Sequence, residues 1–257
     1  MKLIFTLLFL GNVMLVKAQT KLSQDSVNYY VNQTKEILNK NFKIEDTSTF
    51  FKNYTPISNE QLTSLNFNEI KKALDYSEKL IESNPNRIDY FTTITFIYFY
   101  INSYENFINT SDRLLKQTKK NNNIWYNLND SNKTDENILL RVYYPYIKHM
   151  LPFKNKENEF YVKQISEQFD KYFPNSSDRY LLKSWVENKL GNGQFAIKIL
   201  EEGRKKYPNN LDLLFQLYEF YFSTKNNEKM NKLKQEVANS DNQILKNQFN
   251  EMVKTTK

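Results

Sequence analysis

The chain has 257 residues, a formal net charge of +7 from 36 Lys and Arg against 29 Asp and Glu, one histidine and no cysteine. Without cysteine it forms no disulfide, no thiolate metal site and no thioether, prenyl or palmitoyl anchor, and a lone His149 leaves the usual zinc ligand sets unfilled. The lysines are scattered among glutamates, with Lys119-Lys120 the densest cluster, so no concentrated basic face for nucleic acid is predicted.

The chain opens MKLIFTLLFLGNVMLVKAQT: Lys2, a 14-residue, mostly apolar run from Leu3 to Val16, then a small-residue site, Val16-Lys17-Ala18, before Gln19. This predicts an export signal over 1–18, since the run is shorter than the roughly 20 residues of a spanning helix. Cleavage would remove Lys2 and Lys17, taking +7 to +5, and leave no transmembrane segment. The expected location is the periplasm or the medium of a bacterium. Six N-x-[ST] triplets, at Asn32, Asn53, Asn109, Asn129, Asn132 and Asn175, follow from a background of 35 asparagines and are weak signals of glycosylation.

Gly and Pro together number ten, no long run alternates with period two, and apolar residues recur at spacings of three and four. The expectation is an all-α chain. SQDSVNYYVNQTKEILNK predicts a helix with Val27, Tyr30, Val31, Ile37 and Leu38 near one side, and NFKIEDTSTFFKNYTPISNE a loop or short helix. Ile70, Leu74 and Leu80 resume the helical pattern, which closes at Pro85. Residues 88–117 predict a helical pair broken near Asn102, with the aromatic stretch Phe91–Ile101 too short to span a membrane and therefore buried. A polar insert or long loop is expected over about 116–137. Helices over 137–150, bent or delayed by Pro145, and 157–173 come next.

The clearest signal is a period. Pro174 and Pro208 stand 34 residues apart, each after an aromatic residue and before an asparagine, in QFDKYFPNS and GRKKYPNN. Proline ends one helix, and Asn or Ser can cap the next. Counting from Pro208, residues 177–210 give DRYLLKSWVENKL and GQFAIKILEEGRKKY, with Tyr180 and Ser184 on the first helix and Ala196, Leu200 and Gly203 on the second. This stretch resembles tetratricopeptide repeats, whose 34-residue unit is two antiparallel helices. Small Ala196 and Gly203 fall where that family lets neighbouring helices approach, and Leu200 fills the groove between them. The unit at 211–240 carries Leu214, Leu217 and Tyr221, with Tyr218 where the family prefers a small residue and Met230, Lys234 and Val237 on its second helix. Phe169 takes the place of Gly203 one unit earlier, so that pair is expected to pack less closely. The resemblance implies that residues 19–257 are antiparallel pairs, three and a half to four and a half of them, stacked in a right-handed superhelix that is irregular in its first half.

Chemistry is sparse. His149 sits in YPYIKHMLPF at a predicted helix end, where it would suit the helix dipole. Asp130, Asp135 and Glu136 lack the order of a calcium loop, Gly191-Asn192-Gly193 is a turn without a following GK[ST], and no G-x-S-x-G elbow occurs. Adjacent Glu201 and Glu202 point roughly 100° apart on a helix and do not pair. The family's groove positions would be Asp178, Leu181, Trp185, Asn188, Asp212, Phe215, Glu219 and Phe222, with Leu182 and Lys183 less buried than Tyr180 by the same register. The resemblance implies a non-enzymatic protein-binding or scaffold module of the cell envelope, holding a protein or peptide partner without cofactor, metal or nucleic acid. Two alternatives stand beside it: carbohydrate or small-ligand binding through some of the 18 Tyr and 19 Phe, and a hydrolase with paired carboxylates. Trp185 discriminates, since exposure would make it an anchor and burial would make it architecture.

Overall fold

The computed structural model describes residues 21–43, 59–122, 124–127, 130–135, 143 and 156–255. The export signal, His149, Glu136, Pro145 and, apart from Tyr143, the helix expected over 137–150 lie outside them. In chain order the elements are α1 (Gln24–Phe42), α2 (Asn59–Thr63), α3 (Phe67–Ser83), α4 (Ile88–Tyr100), α5 (Tyr104–Lys120), β1 (Ile124–Asn127) and β2 (Asp130–Asp135). They continue as α6 (Lys156–Tyr172), α7 (Asp178–Lys189), α8 (Gly193–Lys206), α9 (Leu211–Ser223), α10 (Asn227–Ala238) and α11 (Gln243–Thr255). The fold is helical, and each long helix packs on its neighbours in sequence: α1 on α3, α3 on α4, and so on to α10 on α11, with α7 also touching α9 and α9 also touching α11.

The expectation of no sheet is corrected in one place. Within the stretch read as a polar insert, α5 continues to Lys120, and β1 and β2 then pair antiparallel, Ile124 opposite Asp135 and Tyr126 opposite Lys133, with β1 beside α4. Ile124-Trp125-Tyr126 are strong strand formers, but strands of four and six residues are too short for alternation to stand out in the sequence.

Two turns recur and fix the pairing. In the first, the amides of Asn84, Phe173 and Tyr207 bond the carbonyls of Leu80, Phe169 and Gly203 at 2.9, 2.8 and 2.8 Å, and Pro85, Pro174 or Pro208 follows at once. Lacking an N–H, proline cannot extend the helix. In the second, Asn102, Gly191 and Lys225 adopt left-handed backbone, φ 56°, 88° and 55°, and the next amide reaches back five residues, to Tyr98, Glu187 and Tyr221, at 2.8 Å each time. This left-handed closure satisfies helix-end carbonyls. Each left-handed residue lies 17 positions after its proline, and the first helices of the three pairs have 13, 12 and 13 residues. The 89 residues from Pro85 to Pro174 exceed two 34-residue steps by 21, and the β-hairpin lies within this interval.

Asparagine does much of the capping: Asn66, Asn210, Asn226 and Asn242 each accept from the amide three residues on. At the start of α7 the Ser177 side chain makes no cap bond, and Asp178 N–H donates to Ser176 Oγ at 3.1 Å.

The core runs as one apolar cluster from Leu80 to Phe249, with a smaller one around Leu38, Ile70 and Phe96. Helix α4 belongs to both and is buried on nearly every side, as the aromatic stretch predicts. Leu200 and Ala196 are fully buried, and Gly203 lies against Tyr180. Phe169, at the corresponding place in α6, is buried edge-on to Tyr143 with ring centroids 6.4 Å apart, so an aromatic contact stands where α8 has a glycine. Beyond the 211–240 unit, α11 covers the last pair: Phe249 meets Tyr218 at 5.9 Å and Leu245 is buried. Tyr218 is buried and carries the Lys234 ammonium over its ring at 5.1 Å.

Candidate functional site

Helices α7 and α9 are the first helices of adjoining pairs and bring together the residues of the predicted groove. Asn210 Nδ2 donates to Ser177 Oγ at 3.1 Å, which sets the two N-termini side by side and puts Asp178 within electrostatic reach of Asp212. Burial pushes the Asp178 carboxyl above the ordinary range, and repulsion from Asp212 pushes it further. Farther along, Trp185 Nε1–H donates to Gln216 Oε1 at 2.7 Å, and Gln216 Nε2–H donates to Glu219 Oε2 at 3.1 Å. Helix α9 carries two acids, Asp212 and Glu219, and no base.

Of the eight predicted positions, Asn188, Asp212 and Phe222 are exposed, and Asp178, Phe215 and Glu219 are half-buried. Leu181 and Trp185 are buried at 2% and 8% exposure, which makes the indole part of the architecture and leaves it no open face for a ligand. The expected order of exposure around Tyr180 is also corrected. Leu182 is fully buried while Tyr180 is half-buried, because α7 is packed against α6, α8 and α9 and spends two adjacent faces on them.

Burial raises the Glu219 carboxyl, and the bond from Gln216 only partly opposes it. A carboxyl whose folded pKa lies above its unfolded value takes up its proton more readily when folded, so ionisation costs stability near neutrality and acidification returns it. Glu219→Gln is expected to stabilise the fold at pH 7 by a few tenths to about 1 kcal/mol, the side chain being partly screened by solvent. The gain should vanish below about pH 4, where the native residue is protonated as well. Urea midpoints of both proteins from pH 3 to 8 check this; a gain independent of pH removes ionisation as its cause.

A second concavity lies on the second helices, at the charged run around Gly203. A cleft of about 420 Å³ separates α8 from α10 over Tyr221, Pro208 and Leu233. Glu201 Oε1 accepts from Lys229 Nζ and from the Tyr221 hydroxyl, each at 2.8 Å, and Arg204 pairs with Glu236. Burial pushes the Glu201 carboxyl up, but these two donors with the charges of Lys229 and Lys205 outweigh it and hold it below the ordinary range. Charge spacings three and four apart, Glu201/Arg204/Lys205 and Lys229/Lys232/Glu236, were the available signal; one helix alone does not tell whether such a face meets water or another charged face.

Among the described residues no three His, Cys, Asp or Glu side chains group as metal ligands, and no helix is long and apolar enough to cross a membrane. Comparison with protein-family models, with curated proteins and with solved structures finds no match to the chain.

Proposed function

We propose that the chain is an exported, non-enzymatic scaffold of tetratricopeptide-like build, holding an extended, basic and apolar segment of an envelope protein along α7 and α9. The observation that carries this reading is the accessible acidic and aromatic row made by two adjoining first helices: Asp178 beside Asp212, then Glu219, with Phe215 and Phe222 between and beyond them. Recurrent turns 34 residues apart at 174/208 and 191/225 support the repeat reading. Carboxylates with no ion-pair partner among the described residues favour a cationic partner, and the exposed Phe222 ring offers area for an apolar side chain. Asp212 stands open to solvent, which suits peptide recognition better than a closed hydrolytic pair.

Selection from a displayed peptide library tests this. Peptides alternating Lys or Arg with apolar residues should be enriched, and Asp178→Lys with Asp212→Lys should weaken them roughly tenfold or more through charge reversal. Phe222→Ala should weaken them as well without moving the thermal midpoint. Enrichment of unrelated sequences, or binding indifferent to all three substitutions, rejects the groove.

The carbohydrate alternative has one observation of its own. Tyr29 is 54% exposed beside Tyr30 and Tyr76, with ring centroids 5.6 and 6.1 Å away, and Lys79 lies over Tyr30. Quenching of tyrosine emission by oligosaccharides, abolished by Tyr29→Ala, would favour it.

A further inference from the structure

The cleft between α8 and α10 is not used by the scaffold reading, and its lining points to a ligand of definite charge. Four cations, Arg204, Lys205, Lys229 and Lys232, face two carboxylates, Glu201 and Glu236. Both carboxylates are engaged: Glu201 takes Lys229 and the Tyr221 hydroxyl, and Glu236 takes Arg204. Lys205 and Lys232 are exposed and make no ion pair with a carboxylate among the described residues, so four cations against two carboxylates leave the lining with a net charge of +2.

The donor inventory agrees. An ammonium has three N–H donors and a guanidinium five, so Lys229 and Arg204 keep donors beyond those spent on their ion pairs. The Tyr221 hydroxyl is spent on Glu201, and the rest of the floor, Pro208 and buried Leu233, is apolar. Such a site satisfies acceptors and repels donors. A volume of about 420 Å³ lies within the range of small-molecule sites.

We propose that this cleft binds a phosphate monoester, its dianion held between Lys205 and Lys232 with help from Arg204 and Lys229, and its apolar portion lying on Tyr221 and Leu233. A monoester carries about −1.5 to −2 charges near neutral pH, matching the net charge of the lining. The same group reaches the site either on a soluble molecule or as the headgroup of a lipid such as phosphatidic acid.

The test uses the full mature chain, isotopically labelled for amide NMR, with two probes: glycerol phosphate, and vesicles of phosphatidylcholine with or without phosphatidic acid. Glycerol phosphate should shift the amides of Tyr221, Lys229 and Leu233, and the double variant Lys205→Gln/Lys232→Gln should bind about tenfold or more weakly. Lys198→Gln/Lys71→Gln, an equal change of charge away from the cleft, should bind as the native chain does. Vesicle binding that requires both phosphatidic acid and the two cleft lysines assigns the lipid source; response to glycerol phosphate alone assigns the soluble one. Equal weakening in both double variants reduces the effect to net charge and overturns the site. So does the absence of any response at these amides, or binding only of a polyglutamate peptide.

Discussion

Gly203→Ala is expected to lower the unfolding free energy by about 1–2 kcal/mol, although alanine is the better helix former by about 1 kcal/mol. A Cβ built on Gly203 would lie 2.7 Å from Tyr180 Cγ, 2.8 Å from its Cβ and 3.2 Å from its Cδ1. Rotation about the outer side-chain bond leaves Tyr180 Cβ and Cγ in place, so relief must come from parting α7 and α8. Partial separation loosens Ala196 and Leu200, which are fully buried on the same face of α8. Overpacking of this kind costs about 1–3 kcal/mol and outweighs the gain in propensity. Gly203→Val, adding branched bulk at the same point, should exceed about 3 kcal/mol. Tyr180→Ala keeps the Cβ contact and so recovers only part of the cost, whereas Tyr180→Gly removes all three contacting atoms. A double-mutant cycle in urea separates these terms. If the crossing is looser than this, Gly203→Ala raises stability instead, and the sign alone decides.

Gly203 also shows what the sequence could deliver. Its spacing from Ala196 and Leu200 announces a close crossing, and the break at Asn102 and the burial of α4 were equally open to reading, because each depends on neighbours within one turn or one helix. The hairpin at 124–135 was not, since its strands are shorter than any usable period. Helix α11 lies beyond the 34-residue unit that closes at residue 240, and its own signal is the recurrence of Leu245, Phe249 and Val253 every four residues after the Asn242 cap. The groove was legible as a set of positions, but which of them meet water depends on how many helices pack against α7. Leu181 and Trp185 turn inward for that reason. The α8–α10 cleft lay furthest from view, being made by residues some 30 positions apart whose charges look ordinary on either helix alone.

The two faces differ in a way that bears on their proposed ligands. Along α7 and α9 the carboxylates of Asp178 and Glu219 are drawn partly out of water with no ion-pair partner among the described residues, while between α8 and α10 each carboxylate lining the cleft is matched and lysines are left over. Salt bridges at this exposure add little stability, typically 0–1 kcal/mol. Their greater effect is to keep Arg204 and Lys229 placed across the cleft.

Trp185→Ala should behave as a core mutation, lowering stability by about 3–5 kcal/mol and the thermal midpoint by roughly 10 °C for a chain of this size. The indole is 8% exposed, and its N–H is committed to Gln216 on the next pair at 2.7 Å. Truncation removes the largest side chain between α7 and α9 and strands the side-chain carbonyl of Gln216, whose Nε2–H orients Glu219. Trp185→Phe keeps most of the apolar area and loses the hydrogen bond, so it should cost about 1–2 kcal/mol. Phe222→Ala is the contrasting case. Its ring is 48% exposed, and its removal should change stability by no more than about 0.5 kcal/mol. Loss of partner binding in Trp185→Ala would therefore report on folding, whereas the same loss in Phe222→Ala would report on recognition. Thermal melts of the three variants, run beside the peptide titrations, keep the two effects apart. A Trp185→Ala protein that melts with the native chain would put the indole in solvent and return it to the binding face.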